Sequence, residues 1–96
     1  MHVLALSVEL HLPDCRSLKA KRSVLKPVTE GARRRYNVAV AETDHQNTWQ
    51  RAAIGVAAVS ATPHHAEEVI DEVERFIWSF PNLQVLSATR SWMEID

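Results

Sequence analysis

Two groups of residues in this chain have types and spacing that suit chemistry. The first is Arg16, Ser17, Lys19, Lys21, Arg22 and Lys26, cations gathered around one hydroxyl. Free backbone N–H groups at a helix start, with cations beside them, hold phosphate or carboxylate, so this group reads as an anion or RNA site. The second is Asp44, His45, Gln46, Trp49, Gln50 and Arg51 on one short polar stretch. There an indole can stack on a base while a guanidinium reaches phosphate. Each group also has a structural reading. The cations can be a solvated helix face partly paired with an acidic helix, Trp49 can pack the sheet edge, and Asp44 can pair with Arg51 across a turn.

The element that must carry the first group is Ser17 to Tyr36. Read at about 100° per residue, it puts Leu18, Val24, Leu25, Val28, Ala32 and Tyr36 on one side and Lys19, Arg22, Lys26 and Arg33 on the flank. Eight of the eleven cations, Arg16, Lys19, Lys21, Arg22, Lys26, Arg33, Arg34 and Arg35, lie in or beside it. The three at its C-terminal end suit the helix dipole. Those at its N-terminal turns do not, each being opposed by roughly 0.3–1 kcal/mol. Helix stability does not explain that crowding, whereas a bound anion does.

Around this helix the chain alternates strands and helices. Val3 to Leu12 sets Leu4, Leu6, Val8 and Leu10 against Val3, Ala5, Ser7, Glu9 and His11, a strand with one buried face. Ser17 reads as the N-cap of the basic helix, and Pro27 within it predicts a bend near Val24 to Lys26. Asn37 to Thr43 and Trp49 to Ala61 read as strands joined by Asp44 to Thr48. Thr62 and Pro63 open a second helix, with Ala66, Val69, Ile70, Val73, Phe76, Ile77 and Phe80 inward and the acids and Trp78 outward. Leu83 to Ile95 is the last strand.

The order βαββαβ predicts an α+β ferredoxin-like plait: one domain over 1–96, a four-stranded antiparallel sheet in order 4-1-3-2, both helices on one face. The other face, with Val3, Ala5, Ser7, Ala53, Gly55, Ala57 and Val59, is small and apolar. It suits a second copy packing sheet to sheet, with Trp92 and Met93 adding to that contact or to an edge pairing.

Two phrases carry a resemblance to a known family. LHLPDCRSLKAKR (Leu10 to Arg22) and VAETDHQNTWQRAAIGVA (Val40 to Ala57) are similar to the signature regions of the YlxP-like proteins, a bacterial family of unknown function. The resemblance runs over essentially the whole chain. It implies a ferredoxin-like fold and, because members are often encoded beside ribosome-binding factor A, a role in ribosome maturation or RNA binding. It supplies no catalytic residue. Pro27 and Gly31 depart from the family pattern, where good helix formers are more usual.

Other classes find less in the sequence. Net charge is −1, but the acids concentrate in Glu67 to Glu74, so one face is basic although the whole is not. The lone Cys15 excludes an internal disulfide and suits a reducing cytoplasm; the basic helix start beside it favours a thiolate, but a lone cysteine is more often incidental, and that is the preferred reading. No apolar run is long enough to cross a membrane, and His2 to Leu12 lacks the marks of a signal peptide. Leu12 to Arg16 lacks the glycine-rich phosphate loop of acylphosphatases, which share this topology. The adjacent His64 and His65 point different ways, and His11, His45 and Glu9 meet only if strand and hairpin ends converge. The sequence therefore predicts a cytoplasmic binding protein for RNA or a ribosomal subunit, with no DNA, metal or cofactor expected. Its rivals are a protein-interaction module using the acidic helix and Trp78, and a small-ligand enzyme with an anion pocket at Ser17 to Arg22.

Overall fold

The computed structural model describes residues 1–95. Its elements are β1 (His2–His11), α1 (Leu18–Arg35), β2 (Val38–Asp44), β3 (Arg51–Ser60), α2 (Pro63–Trp78) and β4 (Gln84–Glu94). All strand pairs are antiparallel in one sheet of order β2-β3-β1-β4, the expected order read from the other edge.

The central strands supply the core because alternation sends every second side chain beneath the helices. Leu4, Leu6, Val8 and Leu10 of β1 are at most 1 % exposed, and Ala52, Ile54, Val56 and Ala58 of β3 are also buried. Burying each of the larger side chains stabilises the fold by about 1.5–3 kcal/mol. Leu25, Val28 and Ala32 of α1 and Ala66, Ile70, Val73 and Ile77 of α2 close over them.

Both predicted N-caps are made. The Ser17 hydroxyl accepts the Ala20 N–H at 3.0 Å, and the Thr62 hydroxyl accepts the His65 N–H at 3.3 Å with Pro63 in the first turn. α1 runs as one helix through Pro27, which removes one helical hydrogen bond at a position where Ser23 and Pro27 both meet water. Gly31 has a packing reason: a Cβ there would lie 2.6 Å from Cζ of Phe76. That ring is fixed edge-on between Tyr36 and Phe80, at 5.9 and 5.1 Å between centroids, with the Arg35 guanidinium 5.0 Å above it. Gly31→Ala should therefore lower stability by about 1 kcal/mol despite alanine's better helix propensity. A raised thermal midpoint would show that the ring yields at no cost.

β3 begins at Arg51, two positions later than Trp49. The connection from β2 is longer because His45 takes the left-handed conformation, φ 63°, and its carbonyl accepts the Thr48 N–H at 3.0 Å, closing a turn that holds Trp49 outside the sheet. The sheet face away from the helices is a shallow concavity of about 550 Å³ lined by Ala5, Ser7, Ala41, Gly55 and Ala57 among others.

Candidate functional site

α1 lies along β2, and the groove between them, about 330 Å³, is lined by Leu18, Lys21, Arg22, Leu25, Lys26, Thr29, Glu30, Arg33, Glu42 and Gln46. Its floor is fixed by two cations that face the protein. Lys21 is only 2 % exposed; its Nζ lies 2.9 Å from Glu42 Oε2 and donates to the His45 carbonyl at 2.6 Å. The Arg33 guanidinium donates to the Val40 carbonyl, tying the helix to the strand beside it. Lys21 is thus a tie between α1 and the hairpin, and its charge is already engaged.

The other cations of the first group stand free. Arg16, Lys19, Arg22 and Lys26 are exposed, and among the described residues none has a carboxylate within ion-pair distance. The alternative in which the basic helix pairs with the acidic one does not form among the described residues: three acids of α2 have other partners and no ion pair joins the two helices. Asp71 and Glu74 hold Arg90 of β4 at 2.8 and 3.3 Å, and Glu68 meets His64 at 3.4 Å. Glu30 is taken by Arg34 at 3.5 Å on α1 itself. The first N–H groups of α1, which have no intrahelical acceptors, open beside these cations, with Ser17 capping Ala20.

The hairpin residues divide between the two sides of the sheet. Gln46 reaches the groove, its amide donating to the Glu42 carbonyl at 3.4 Å. His45 and Arg51 turn to the other side and share Glu9: Nε2 of His45 and Nη2 of Arg51 lie 3.1 and 3.2 Å from Glu9 Oε2. The expected Asp44–Arg51 pair is replaced by this arrangement, and Asp44 instead accepts the N–H of the left-handed His45 at 2.7 Å. Ala53, in register with Glu9, is consequently 3 % exposed where the open sheet face was expected. Trp49 is 50 % exposed beside Asn47, Thr48 and Gln50, so it is not packed away on the sheet edge. Glu9 and His45 do converge, but His11 does not join them; its Nδ1 lies 3.1 Å from the Gln50 carbonyl. Among the described residues no three His, Cys, Asp or Glu side chains gather as a metal site.

Gln50 carries more of the local architecture than the sequence indicated. Its carbonyl accepts the Leu12 N–H at 2.9 Å, and its side-chain amide donates to the carbonyls of Pro13 at 3.3 Å and Cys15 at 3.5 Å. This loop buries Cys15, which is 3 % exposed. Burial first, and then the Asp14 carboxylate, push its thiol above the ordinary value of 9.0, with Lys21 pulling the other way. Lost hydration outweighs the Lys21 cation, in keeping with the preferred reading of Cys15 as incidental and against a reactive thiol. In the folded protein at mild alkaline pH Cys15 should react with a disulfide reagent far more slowly than in urea. Equal rates would contradict the burial. Because the folded-state value is raised, the neutral thiol's contribution to stability is present below pH 9 and fades as the pH climbs through the raised value.

A family profile described as a protein of unknown function, DUF503, matches residues 3–90. The chain belongs to the DUF503 family. It is similar to the uncharacterized protein YlxP of Bacillus subtilis (strain 168), 38 % identical over 79 residues, 82 % of this chain and 86 % of that one. Among solved structures it is similar to two designed proteins. One, LFR1 1, has a ferredoxin fold, with a TM-score of 0.53 at 15 % identity over 97 % of this chain and 84 % of the other. The second, Foldit4, has a TM-score of 0.57 at 11 % identity over the whole of both. These likenesses show the fold, a ferredoxin-like plait. In this DUF503 member the two stretches that resemble the YlxP-like signatures are stitched together: His11 at the end of β1 and Lys21 on α1 each bind the hairpin, and Gln50 returns to the Pro13–Cys15 loop. No helix among the described residues is long and apolar enough to cross a membrane.

Proposed function

We propose that this DUF503 member is a cytoplasmic RNA-binding protein that contacts ribosomal RNA or a ribosomal subunit with the N-terminal half of α1. The observation that carries the reading is the row Arg16, Lys19, Arg22 and Lys26, four exposed cations with no carboxylate partner among the described residues. Three of them crowd the end of a helix whose dipole opposes them, and phosphate oxygens offset that cost while satisfying the free N–H groups. Trp49, half exposed on the hairpin, offers a stacking surface at the same end of the molecule, and Gln46 a hydrogen-bonding amide beside the row. The sheet face has no aromatic platform of the RRM kind, so the contact belongs to the helix and hairpin.

Binding of the protein to ribosomal subunits and to ribosomal RNA fragments, measured by co-sedimentation at low and moderate salt, tests this. Association at low salt that weakens steeply as salt rises is the expected result; no association at low salt removes the proposal. A protein partner on α2 is the second reading, favoured by Trp78 at 60 % exposure beside Asp71, Glu74 and Arg75. A contact anchored there would persist at salt that strips RNA. A small anion held at the Ser17 helix start is the third, and saturable binding of inorganic phosphate without RNA binding would select it.

A further inference from the structure

The two edges of the sheet are protected very differently. β2 is 7 residues long, bears Glu42 and Asp44 near its end, lies beside α1, and has its Val40 carbonyl taken by Arg33. β4 is 11 residues long, without proline or lysine, and among the described residues no hydrogen bond reaches its outer backbone edge. The helices do not cover it either: every residue from Leu86 to Ile95 is exposed, on the helix side of the sheet as well as the open side. A long, uncovered edge of this kind is a template for another strand, because its N–H and C=O groups await partners.

From this we infer that the outer edge of β4 pairs antiparallel with β4 of a second copy, joining two four-stranded sheets into one continuous sheet. The strand is its own complement. With the twofold axis at Thr89, the middle of Gln84–Glu94, Leu86 falls opposite the partner's Trp92, each contact occurring twice. Leu86 is 51 % and Trp92 41 % exposed, so both have surface to bury. Gln84 falls opposite the partner's Glu94 and Arg90 opposite the partner's Ala88, so no like charges oppose each other, and Arg90 is already held by Asp71 and Glu74. Leu86 also sits at the irregularity where β4 shifts register against β1, and its apolar side chain is exposed there. This inference is independent of the RNA reading. β4 is the sheet edge opposite β2, so the pairing leaves the α1 groove of each copy open.

Sedimentation velocity through the micromolar range, on the full chain and on Leu86→Glu, Trp92→Lys and the double variant, tests it. The wild type should be a dimer, and each single variant should raise the dissociation constant about tenfold or more. The double variant sets the introduced carboxylate against the introduced ammonium across both contacts, so it should recover much of the loss. Both sites are exposed, and circular dichroism confirms that the variants fold. Hydrogen exchange on the unaltered chain gives a second reading: amides of β4 should gain protection as concentration rises. A monomeric wild type overturns the inference. So does a dimer indifferent to both single variants but dissociated by Ala57→Arg, which would place the second copy on the open sheet face.

Discussion

Reversing Lys19 and Arg22 to glutamate should abolish association with ribosomal RNA while leaving the fold intact. The two side chains are exposed and engaged with no carboxylate among the described residues, so their removal breaks no contact that the protein makes with itself. If Arg16, Lys19, Arg22 and Lys26 each neutralise a phosphate, affinity should fall about 50- to 150-fold between about 50 and 200 mM salt. The double reversal removes two of these contacts and adds two repulsions, which together bring association below detection. Arg34→Glu/Arg75→Glu is the matched control, since it lowers net charge by the same amount through two exposed arginines that do not line the groove. Loss in the first variant and retention in the second place the contact on α1. Equal binding by all three proteins at low salt would falsify the assignment, and equal loss would mean that RNA binding follows net charge alone.

This contrast depends on separating cations that the sequence presents as one group. The helical pattern does contain the distinction. Leu18, Lys21, Leu25, Val28 and Ala32 follow one another at spacings of three and four, so Lys21 lies on the apolar stripe, and the structure buries it there. A lysine at such a position announces a partner inside the fold. The identity of that partner is not legible, because it requires knowing that β2 lies beneath α1 and that Glu42 faces the helix. The same holds for Glu9: it interrupts a run of small side chains on the outer face of β1, which marks it, but only the strand register brings it to His45 and Arg51. Elements and their order were legible because alternation in β1 and β3, and the caps Ser17 and Thr62, are local signals. The Asp44–Arg51 and helix–helix pairings failed because charges choose partners by geometry across the fold, and sequence proximity or opposite sign does not determine it. Gln50 was hidden for a related reason: most of its contacts are made to backbone atoms, which carry no mark in the sequence.

Lys21 accordingly predicts a result opposite to that of Lys19. Lys21→Met should cost about 3 kcal/mol of stability, a lower-end value for breaking a buried ion pair. The lower end applies because the Glu42 side chain is 28 % exposed and recovers some hydration when the lysine is gone. The His45 carbonyl, which accepts from Lys21 at 2.6 Å, loses its donor as well, so the hairpin as a whole is loosened from α1. Chemical denaturation measures the loss, and the double variant Lys21→Met/Glu42→Leu separates its causes. Removing both charges leaves no unpaired carboxylate in the groove, so the double variant should be more stable than Lys21→Met alone. If it is less stable, Glu42 supports the groove through contacts other than its pairing with Lys21. RNA binding by the double variant then becomes informative: with Arg16, Lys19, Arg22 and Lys26 still in place, it should bind nearly as the wild type does. Loss of binding in a folded double variant would mean that the hairpin, held in position by Lys21, carries the contact in place of the exposed row of α1.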